Sequence, residues 1–272
     1  MSLIEVENLV KTYKIIQKDD GLLGYFKNLV KPKYKEITAV KGVNFKLEEG
    51  ELVGYIGENG AGKSTTIKML TGLLTPTSGK VVVDGIIPYE KRIQNNKNIG
   101  AVFGQKTQLW WDLPVIESFQ LITQMYKKPD GEDRKNLKKF TELLELKELL
   151  DKQVKNLSLG QKMRCEIAAT FIHNPKIVYL DEPTIGLDVF VKENIRKFIK
   201  DINKEKNTTV ILTTHDLKDI EDVCNRIILL DQGTIIYDGE KQKFKDTYGK
   251  YIFAEFVVSN KNNSLNENIK TS

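Results

Sequence analysis

A glycine-rich octapeptide that follows a short apolar segment constrains the fold of this chain more than any other feature. Residues 51–56 read Glu-Leu-Val-Gly-Tyr-Ile and predict a strand, and a helical pattern begins near Lys63. The octapeptide at 57–64 matches the pattern G-x-x-x-x-G-K-S completely, and strand, loop and helix follow one another in the order of a phosphate-binding P-loop. The alternative is a glycine-rich turn that matches the pattern by chance.

The residue types of this loop suit a bound chain of phosphates. Small residues let the backbone approach phosphate oxygens, and the loop amides and the helix N-terminus supply positive potential. Lys63 is predicted to reach the β and γ phosphates of ATP, and the Ser64 hydroxyl is predicted to ligate Mg²⁺. The loop residues predicted to bind the nucleotide are Gly57, Asn59, Gly60, Ala61, Gly62, Lys63, Ser64 and Thr65.

Composition and charge exclude several other classes. The chain of 272 residues shows no internal repeat, so it carries one nucleotide module and a second must come from another chain. A formal net charge of +5, spread along the sequence, does not indicate nucleic acid, and we expect no such partner. Cys165 and Cys224 have neither disulfide nor zinc-site spacing. Because no leader and no bilayer-length apolar run is visible, we expect a cytosolic chain that other polypeptides hold at a membrane.

Hydrophobic periodicity predicts an α/β fold with a P-loop NTPase core. Residues 3–13 and 37–47 alternate apolar and polar, which is typical of half-buried strands and predicts an N-terminal antiparallel β layer. The apolar, β-branched runs at 177–180 and 209–212 predict strands of a buried parallel sheet. Three-and-four spacing over 112–172 predicts an inserted α-helical subdomain, interrupted at 129–131.

The predicted domain organisation follows from these patterns. An ATPase domain is expected over residues 1–245, with an amphipathic helical insertion at 15–36 and the helical subdomain at about 106–172. Residues 246–272 form a C-terminal extension. Its composition from about Ser259 onward is rich in Asn, Lys, Ser and Glu, which predicts a disordered end.

Polar side chains follow two of the predicted parallel strands. Asp181 and Glu182 end one strand, and His215 follows the other. Ligands bind at the carboxyl edge of parallel sheets, so Asp181 is predicted to hold Mg²⁺ through water and Glu182 to act as the base that orients the attacking water. His215 is predicted to donate to the γ-phosphate. An acidic pair in a solvated turn and a structural histidine are the alternatives, and His173 is interpreted as a helix-end residue.

Four further features join the P-loop in a recognisable combination. They are residues 157–161 (Leu-Ser-Leu-Gly-Gln), 179–184 (Tyr-Leu-Asp-Glu-Pro-Thr), 186–188 (Gly-Leu-Asp) and His215. Together with the P-loop they resemble the ABC ATPases over about residues 3–240. The signature segment at 157–161 is specific to that family, although Leu159 stands where the commoner signature has glycine.

The resemblance implies a head-to-tail dimer of ATPase subunits, either a homodimer or a pair with a close paralogue. ATP on one P-loop would be completed by the partner's signature, with Ser158, Gly160 and Gln161 at the nucleotide and Asp188 linking the two sites. Gln105 would contact Mg²⁺, take part in catalysis and sense the membrane subunit. Tyr13 resembles the aromatic residue that stacks on adenine; an ordinary strand tyrosine is the alternative.

Residues 102–114 and the Thr184-Ile185-Gly186 variant resemble the NatA-like and drug-export branch of bacterial ABC exporters. The resemblance implies separate permease subunits, a location at the cytoplasmic face of the membrane, and a role for Trp110 and Trp111 in the groove that receives the permease; burial is the alternative. Rival interpretations are a soluble ABC ATPase of DNA repair or translation, a polysaccharide or lipid exporter, and a subunit that binds ATP without hydrolysing it. The spacing from Gln105 to Leu157 is too short for the coiled coil of the repair type.

The insertion carries its own prediction. Its apolar residues fall on one helical face, and lysines flank that face. We expect residues 19–31 to dock at the cytoplasmic membrane surface; a helix that covers the antiparallel layer is the alternative. The apolar residues are Leu22, Tyr25, Phe26, Leu29 and Val30, and the lysines are Lys18, Lys27, Lys31, Lys33 and Lys35.

Overall fold

The structure is a computed structural model that describes residues 2–17, 34–104, 106–126 and 132–248. Four predictions therefore lie outside the described residues: the role of Gln105, the helix at 19–31, the interruption of the helical pattern at 129–131 and the disordered end of the chain. Among the helices of the described ranges, none has the length and apolarity needed to cross a lipid bilayer.

The predicted antiparallel layer is confirmed as a three-stranded sheet of order β2-β1-β4. Its strands are β1 (Ile4–Ile16), β2 (Tyr34–Leu47) and β4 (Ser78–Val83). The ends of the segment 15–36, predicted to be helical, are strand instead, because Ile15 and Ile16 pair with Lys35 and Tyr34. The alternating residues Val43, Phe45 and Leu47 of β2 lie on its inner face and are buried. The period of two thus decides which face of the layer joins the core.

A second sheet of six strands has the order β5-β6-β7-β3-β8-β9, and all its pairs are parallel except the last. Its strands are β3 (Leu52–Gly57), β5 (Ile99–Phe103), β6 (Ile177–Asp181), β7 (Thr209–Thr213), β8 (Arg226–Asp231) and β9 (Thr234–Glu240). Every residue of β6 and β7 is buried, as expected for parallel strands covered on both faces.

Eight α-helices are present in the described ranges. They are α1 (Lys63–Leu70), α2 (Arg92–Asn96), α3 (Val115–Met125), α4 (Glu132–Leu143), α5 (Leu159–Phe171), α6 (Val189–Lys206), α7 (Leu217–Val223) and α8 (Lys241–Tyr248). Two short 3-10 helices, Lys147–Leu149 and Val154–Asn156, lie between α4 and α5. The helices predicted within residues 112–172 are confirmed by α3, α4 and α5. The limits of the helical subdomain, at about 106 and 172, stay predictions.

The hydrophobic core has one part on each face of the six-stranded sheet. Val178 and Leu180 of β6 face the part built with helices α3 to α7, and Ile177 and Tyr179 face the part built with the antiparallel layer and α1. Phe198 of α6 contacts Phe140 of α4 and Phe171 of α5 edge-on, at centroid distances of 5.1 and 5.3 Å. These aromatic contacts pack α4 and the C-terminal end of α5 against α6.

Candidate nucleotide-binding site

The glycines at the two ends of the P-loop are required by close approach of neighbouring backbone. Gly57 has a φ of 153°, and a Cβ at this position would lie 2.3 Å from the Leu230 carbonyl oxygen of β8. Gly62 has a φ of 105°, and a Cβ there would lie 2.5 Å from the carbonyl oxygen of Ala39 in β2. Backbone atoms of both sheets therefore approach the loop closely, and only glycine fits at these two positions.

Helix α1 begins at this loop without a side-chain cap, because its N-cap residue is Gly62. Amide groups in the first turn of a helix have no partner within the helix, and together with the helix dipole they favour an anion. The described geometry therefore provides the phosphate-binding end that the motif predicts. Ser64 and Thr65 in this first turn are half-buried, and Asn59 and Gly60 are exposed.

The Lys63 ammonium lies over the loop. Its Nζ atom donates to the carbonyl oxygens of Gly57 at 2.6 Å and Glu58 at 2.9 Å. Burial lowers the pKa of Lys63 below its ordinary value, and the carboxylates of Glu182 and Asp181 oppose that shift. The amine thus lies close enough to both carboxylates to sense their charge, at the place where phosphate charge would arrive.

Asp181 ends β6 beside the hydroxyl predicted to ligate Mg²⁺. Its Oδ1 atom accepts from Ser64 Oγ at 3.2 Å and from Thr213 Oγ1 at 2.6 Å. Strands β6, β7 and β3 are parallel neighbours, so their carboxyl ends bring Asp181, Thr213 and the P-loop to one edge. Carboxylate and hydroxyl oxygens are ligands that Mg²⁺ prefers, and this pair of residues fits that ion.

Glu182 and His215 form a pair at the same edge. Glu182 Oε1 and His215 Nε2 are 2.8 Å apart, and their side chains are 25% and 42% exposed. Glu182 has a φ of 56°, which non-glycine residues rarely adopt, and its amide donates to both the carbonyl and the hydroxyl oxygen of Thr213. The turn therefore directs the carboxylate away from β6 toward the histidine.

The signature segment begins helix α5. Ser158 Oγ accepts from the Gln161 amide at 3.2 Å, and Gln161 Oε1 accepts from the Ser158 amide at 3.0 Å. This reciprocal capping box stabilises the helix start. It also means that the Gln161 side chain, predicted from the resemblance to lie at the nucleotide, is engaged within its own helix.

Asp188 lies next to the signature. It caps α6 by accepting from the Val191 amide at 3.0 Å. A Cβ at Gly160 would lie 3.3 Å from Val191 Cγ2 and 3.9 Å from Asp188 Oδ2. The structure thus brings Gly160 and Asp188 together, whereas no hydrogen bond or ion pair among the described residues joins either of them to the P-loop.

Tyr13 lies in β1 opposite Ile37 of β2, close in sequence to the Ala39 carbonyl that touches the P-loop. Its ring is half-buried, and Lys11 Nζ lies 5.5 Å from the ring centroid. The aromatic ring thus lies on the strand pair that contacts the P-loop through Ala39.

Trp110 and Trp111 are 39% and 51% exposed, so burial of the pair, the alternative at the sequence level, is wrong. Lys162 of α5 places its Nζ atom 4.1 Å from the Trp111 ring centroid. His173 is buried at the end of α5 and stacks on Tyr126 at 4.1 Å, which agrees with its interpretation as a helix-end residue.

Sequence reasoning missed two buried carboxylates. Glu166 of α5 accepts from the Thr107 hydroxyl and from the Gln108 amide at 3.0 Å, and burial raises its pKa. Asp219 of α7 is fully buried and accepts from three side chains near Glu182 and His215. The sequence signal that could have found them is an acidic residue at an inward position of a helical pattern. The hydrogen-bond partners of these carboxylates lie in distant segments, so the pattern alone does not identify them.

A P-loop between a buried strand and a helix, with a carboxylate pair at the adjacent strand end, defines the class of P-loop nucleoside triphosphatases. Within that class, the family model for the ABC transporter matches residues 40–185. The chain belongs to the ABC transporter family as an ATP-binding subunit. It is an ABC ATPase that hydrolyses ATP to drive transport.

Relatives along most of the chain agree with this placement. The ABC transporter ATP-binding protein NatA of Bacillus subtilis is 30% identical over 83% of this chain and 93% of its own length. The linearmycin resistance ATP-binding protein LnrL of the same organism is 34% identical over 87% and 75%. The methionine import ATP-binding protein MetN of Geobacillus kaustophilus is 36% identical over 75% and 60%.

Among solved structures, a dimeric ATP-binding cassette in a post-hydrolysis state, bound to ADP and Pi, matches with a TM-score of 0.71. It is 30% identical, and the match covers 87% of this chain and 98% of that one. The predicted α/β cassette fold is thereby confirmed.

Proposed function

We propose that this chain is the ATPase subunit of a bacterial exporter, that it works as a dimer, and that separate permease subunits hold it at the cytoplasmic face of the membrane. The observation that supports the proposed ATP hydrolysis is the contact between Glu182 and His215. This contact lies at the carboxyl edge of the sheet, where the P-loop and Asp181 also lie. ATP-driven closure of the dimer would supply the work, because ATP binds the closed state more tightly than the open one.

The residues divide the chemistry between them. Glu182 orients the attacking water and receives its proton, and His215, whose Nε2 atom contacts the Glu182 carboxylate, turns to donate toward the γ-phosphate when ATP is bound. Lys63 leaves its two carbonyl partners to meet the β and γ phosphates. Ser64 and Asp181 would hold Mg²⁺, which would neutralise phosphate charge there. Gln105, outside the described residues, keeps its predicted role beside the metal.

The placement of the signature supports a dimer. Gly160 lies beside Asp188, and within the described residues the Ser158 side chain and amide hydrogen-bond to Gln161 and not to the P-loop of the same chain. Gly160 lies within helix α5 and is not required there by a positive φ or by a neighbouring backbone atom. A glycine that its own chain does not need is explained by close approach from outside, here by ATP on the partner's P-loop.

The outward direction of transport is supported by one relative's name and by one sequence segment. LnrL is named for resistance to linearmycin, which favours removal of a compound, and residues 102–114 resemble the export branch. MetN, named for methionine import, keeps import as the second candidate. Measured transport into or out of vesicles that contain the chain and its permease separates the two directions.

Contact with the permease is assigned to the surface that carries Trp110 and Trp111. These exposed rings follow Gln105 in the sequence, and exposed aromatic residues favour interfaces. Glu166 and Lys162 of α5 contact Gln108 and Trp111 of this segment. A displacement of the tryptophans by the permease would therefore be transmitted to α5, which is capped by Ser158. The coupling would thus run from the membrane subunit to the signature.

The test of the hydrolytic role is Glu182→Gln. We expect the variant to bind MgATP, to lose turnover by at least about a hundredfold, and to accumulate as an ATP-bound dimer in size-exclusion chromatography. Glu193→Gln, a neutralised carboxylate in α6, serves as the matched control and should keep wild-type turnover. Undiminished hydrolysis by Glu182→Gln would show that another group is the base.

A further inference from the structure

Asp219 occupies a position that the chemistry assigned so far does not use. It lies in the first turn of α7, and its side chain is fully buried. Its Oδ2 atom accepts from the Thr184 hydroxyl and, at 2.7 Å, from the Thr214 hydroxyl. Its Oδ1 atom accepts from Arg196 Nε at 2.6 Å. One carboxylate therefore collects three donors from three separate segments.

Each donor belongs to a segment that carries a proposed site residue. Thr184 follows Glu182 by two positions, and Thr214 immediately precedes His215. Arg196 lies in α6, the helix that Asp188 caps. Asp219 is consequently the common partner of the Glu182 turn, the His215 loop and the helix behind Asp188.

The two loops border a cavity on one side. A cavity of about 530 Å³ opens beside the Glu182 and His215 pair, and Thr184 and Thr214 line it. Side chains that border a cavity lack contact atoms there and can change position at small cost. The hydrogen bonds to Asp219 therefore act together with those from the Glu182 amide to Thr213 in fixing where these loops lie.

The charge of Asp219 is satisfied, which allows it to act as a fixed anchor. The Arg196 side chain is 5% exposed and contacts Asp219 through Nε. Its other two guanidinium nitrogens pair with the carboxylates of Asp216 and Asp222. Buried charges that are paired and fully hydrogen-bonded persist, and bonds that involve an ionised group are stronger than neutral ones. Two threonine hydroxyls bound to this carboxylate thus have a single preferred orientation.

We propose that Asp219 is a positioning residue for hydrolysis, which sets the distance and angle between Glu182 and His215 by holding Thr184 and Thr214 on one carboxylate. The proposal rests on the proposed role of Glu182 as the base. It assigns no contact with ATP to Asp219 itself. Its effect should appear in turnover and not in nucleotide affinity, because the P-loop makes none of these hydrogen bonds.

The experiment compares matched threonine substitutions in the full chain. Thr184→Val and Thr214→Val keep the side-chain shape and remove the hydroxyl, while Thr184→Ser and Thr214→Ser keep the hydroxyl. We expect each Val variant to lower kcat at least about tenfold at saturating MgATP, with the Kd of a fluorescent ATP analogue changed less than about threefold. Each Ser variant should retain kcat within about threefold of wild type.

The control removes an equivalent buried hydrogen bond from the opposite end of β7. Thr208 is buried, and its hydroxyl donates to the Pro175 carbonyl oxygen at 3.3 Å. Thr208→Val should lower the Tm as the other Val variants do, while kcat stays at the wild-type value. Should Thr184→Val fail to fold, Thr214→Val alone decides, because Asp219 keeps Arg196 and Thr184 in that variant.

Two results would overturn the proposal: wild-type kcat in a folded Val variant, or an equal loss of kcat in Thr208→Val. Failure of the proposed function is distinguishable from this, since it appears as full activity in Glu182→Gln. An inactive Glu182→Gln together with fully active Val variants would reject the positioning role alone.

Discussion

Replacement of Gly160 by alanine separates what the chain needs for folding from what it needs for hydrolysis. Gly160 is the second residue of α5, and a Cβ there would meet Val191 Cγ2 at 3.3 Å, the end of a side chain and not backbone. Alanine in a helix is more stable than glycine by about 0.5–1 kcal/mol, which offsets the small displacement of Val191. The free energy of unfolding of the isolated chain should therefore change by less than about 1 kcal/mol.

Turnover should respond quite differently. If ATP on the partner's P-loop approaches the Gly160 backbone, the added methyl group occupies the space of that contact. We expect kcat to fall at least about tenfold, equivalent to about 1.4 kcal/mol of transition-state stabilisation. In the Glu182→Gln background, Gly160→Ala should also abolish the ATP-dependent dimer that we expect to observe by size-exclusion chromatography.

Urea denaturation and steady-state ATPase assays on the same preparation test both halves of this prediction. Gly62→Ala provides the contrast, because its φ of 105° and the Ala39 carbonyl oxygen at 2.5 Å from the added Cβ should cost at least about 1–3 kcal/mol of stability. A Gly160→Ala protein with wild-type turnover, or one destabilised as much as Gly62→Ala, would refute the reasoning.

Three further predictions concern the metal locus, a buried acid and the membrane. Thr213→Val removes a bond to the Asp181 carboxylate worth about 1.5–3 kcal/mol and should raise the Mg²⁺ concentration for half-maximal ATPase at least about tenfold, whereas Thr213→Ser should not. Burial raises the pKa of Glu166 above 4.5, so the folded chain binds that proton more tightly than the unfolded chain does. Urea denaturation should accordingly show wild type gaining stability relative to Glu166→Gln as pH is lowered from neutrality toward 4.5; a constant difference would contradict this. Charge reversal at Lys27 and Lys31 should weaken coupling of transport to hydrolysis in vesicles and spare ATP binding, and unchanged coupling would reject membrane docking.

The order of elements and the hydrolytic edge could be predicted because they depend on local pattern. A two-residue period identified the antiparallel layer, and an apolar strand followed by Asp181 and Glu182 can place those carboxylates only at its carboxyl end. The contact between Glu182 and His215 then follows from the parallel pairing of β6 with β7.

The buried polar contacts could not be predicted, because they depend on tertiary packing. Glu166 and Asp219 find their partners in segments 58 and 35 residues away in sequence, at Gln108 and Thr184. Propensity and periodicity describe neighbours within a few residues and carry no information about such pairs. The same limit explains why Trp110 and Trp111 stayed ambiguous, since an aromatic residue suits a core and an interface equally well.

The capping box at Ser158 has a consequence for experiments at this position. Its hydroxyl oxygen already accepts a hydrogen bond from the Gln161 amide, so the hydroxyl proton is what it can still offer to a phosphate. The same oxygen atom thus secures a helix end and presents a proton to an incoming anion. A substitution at Ser158 alters both properties at once, and lost activity can be attributed to the nucleotide only after the change in helix stability has been measured separately.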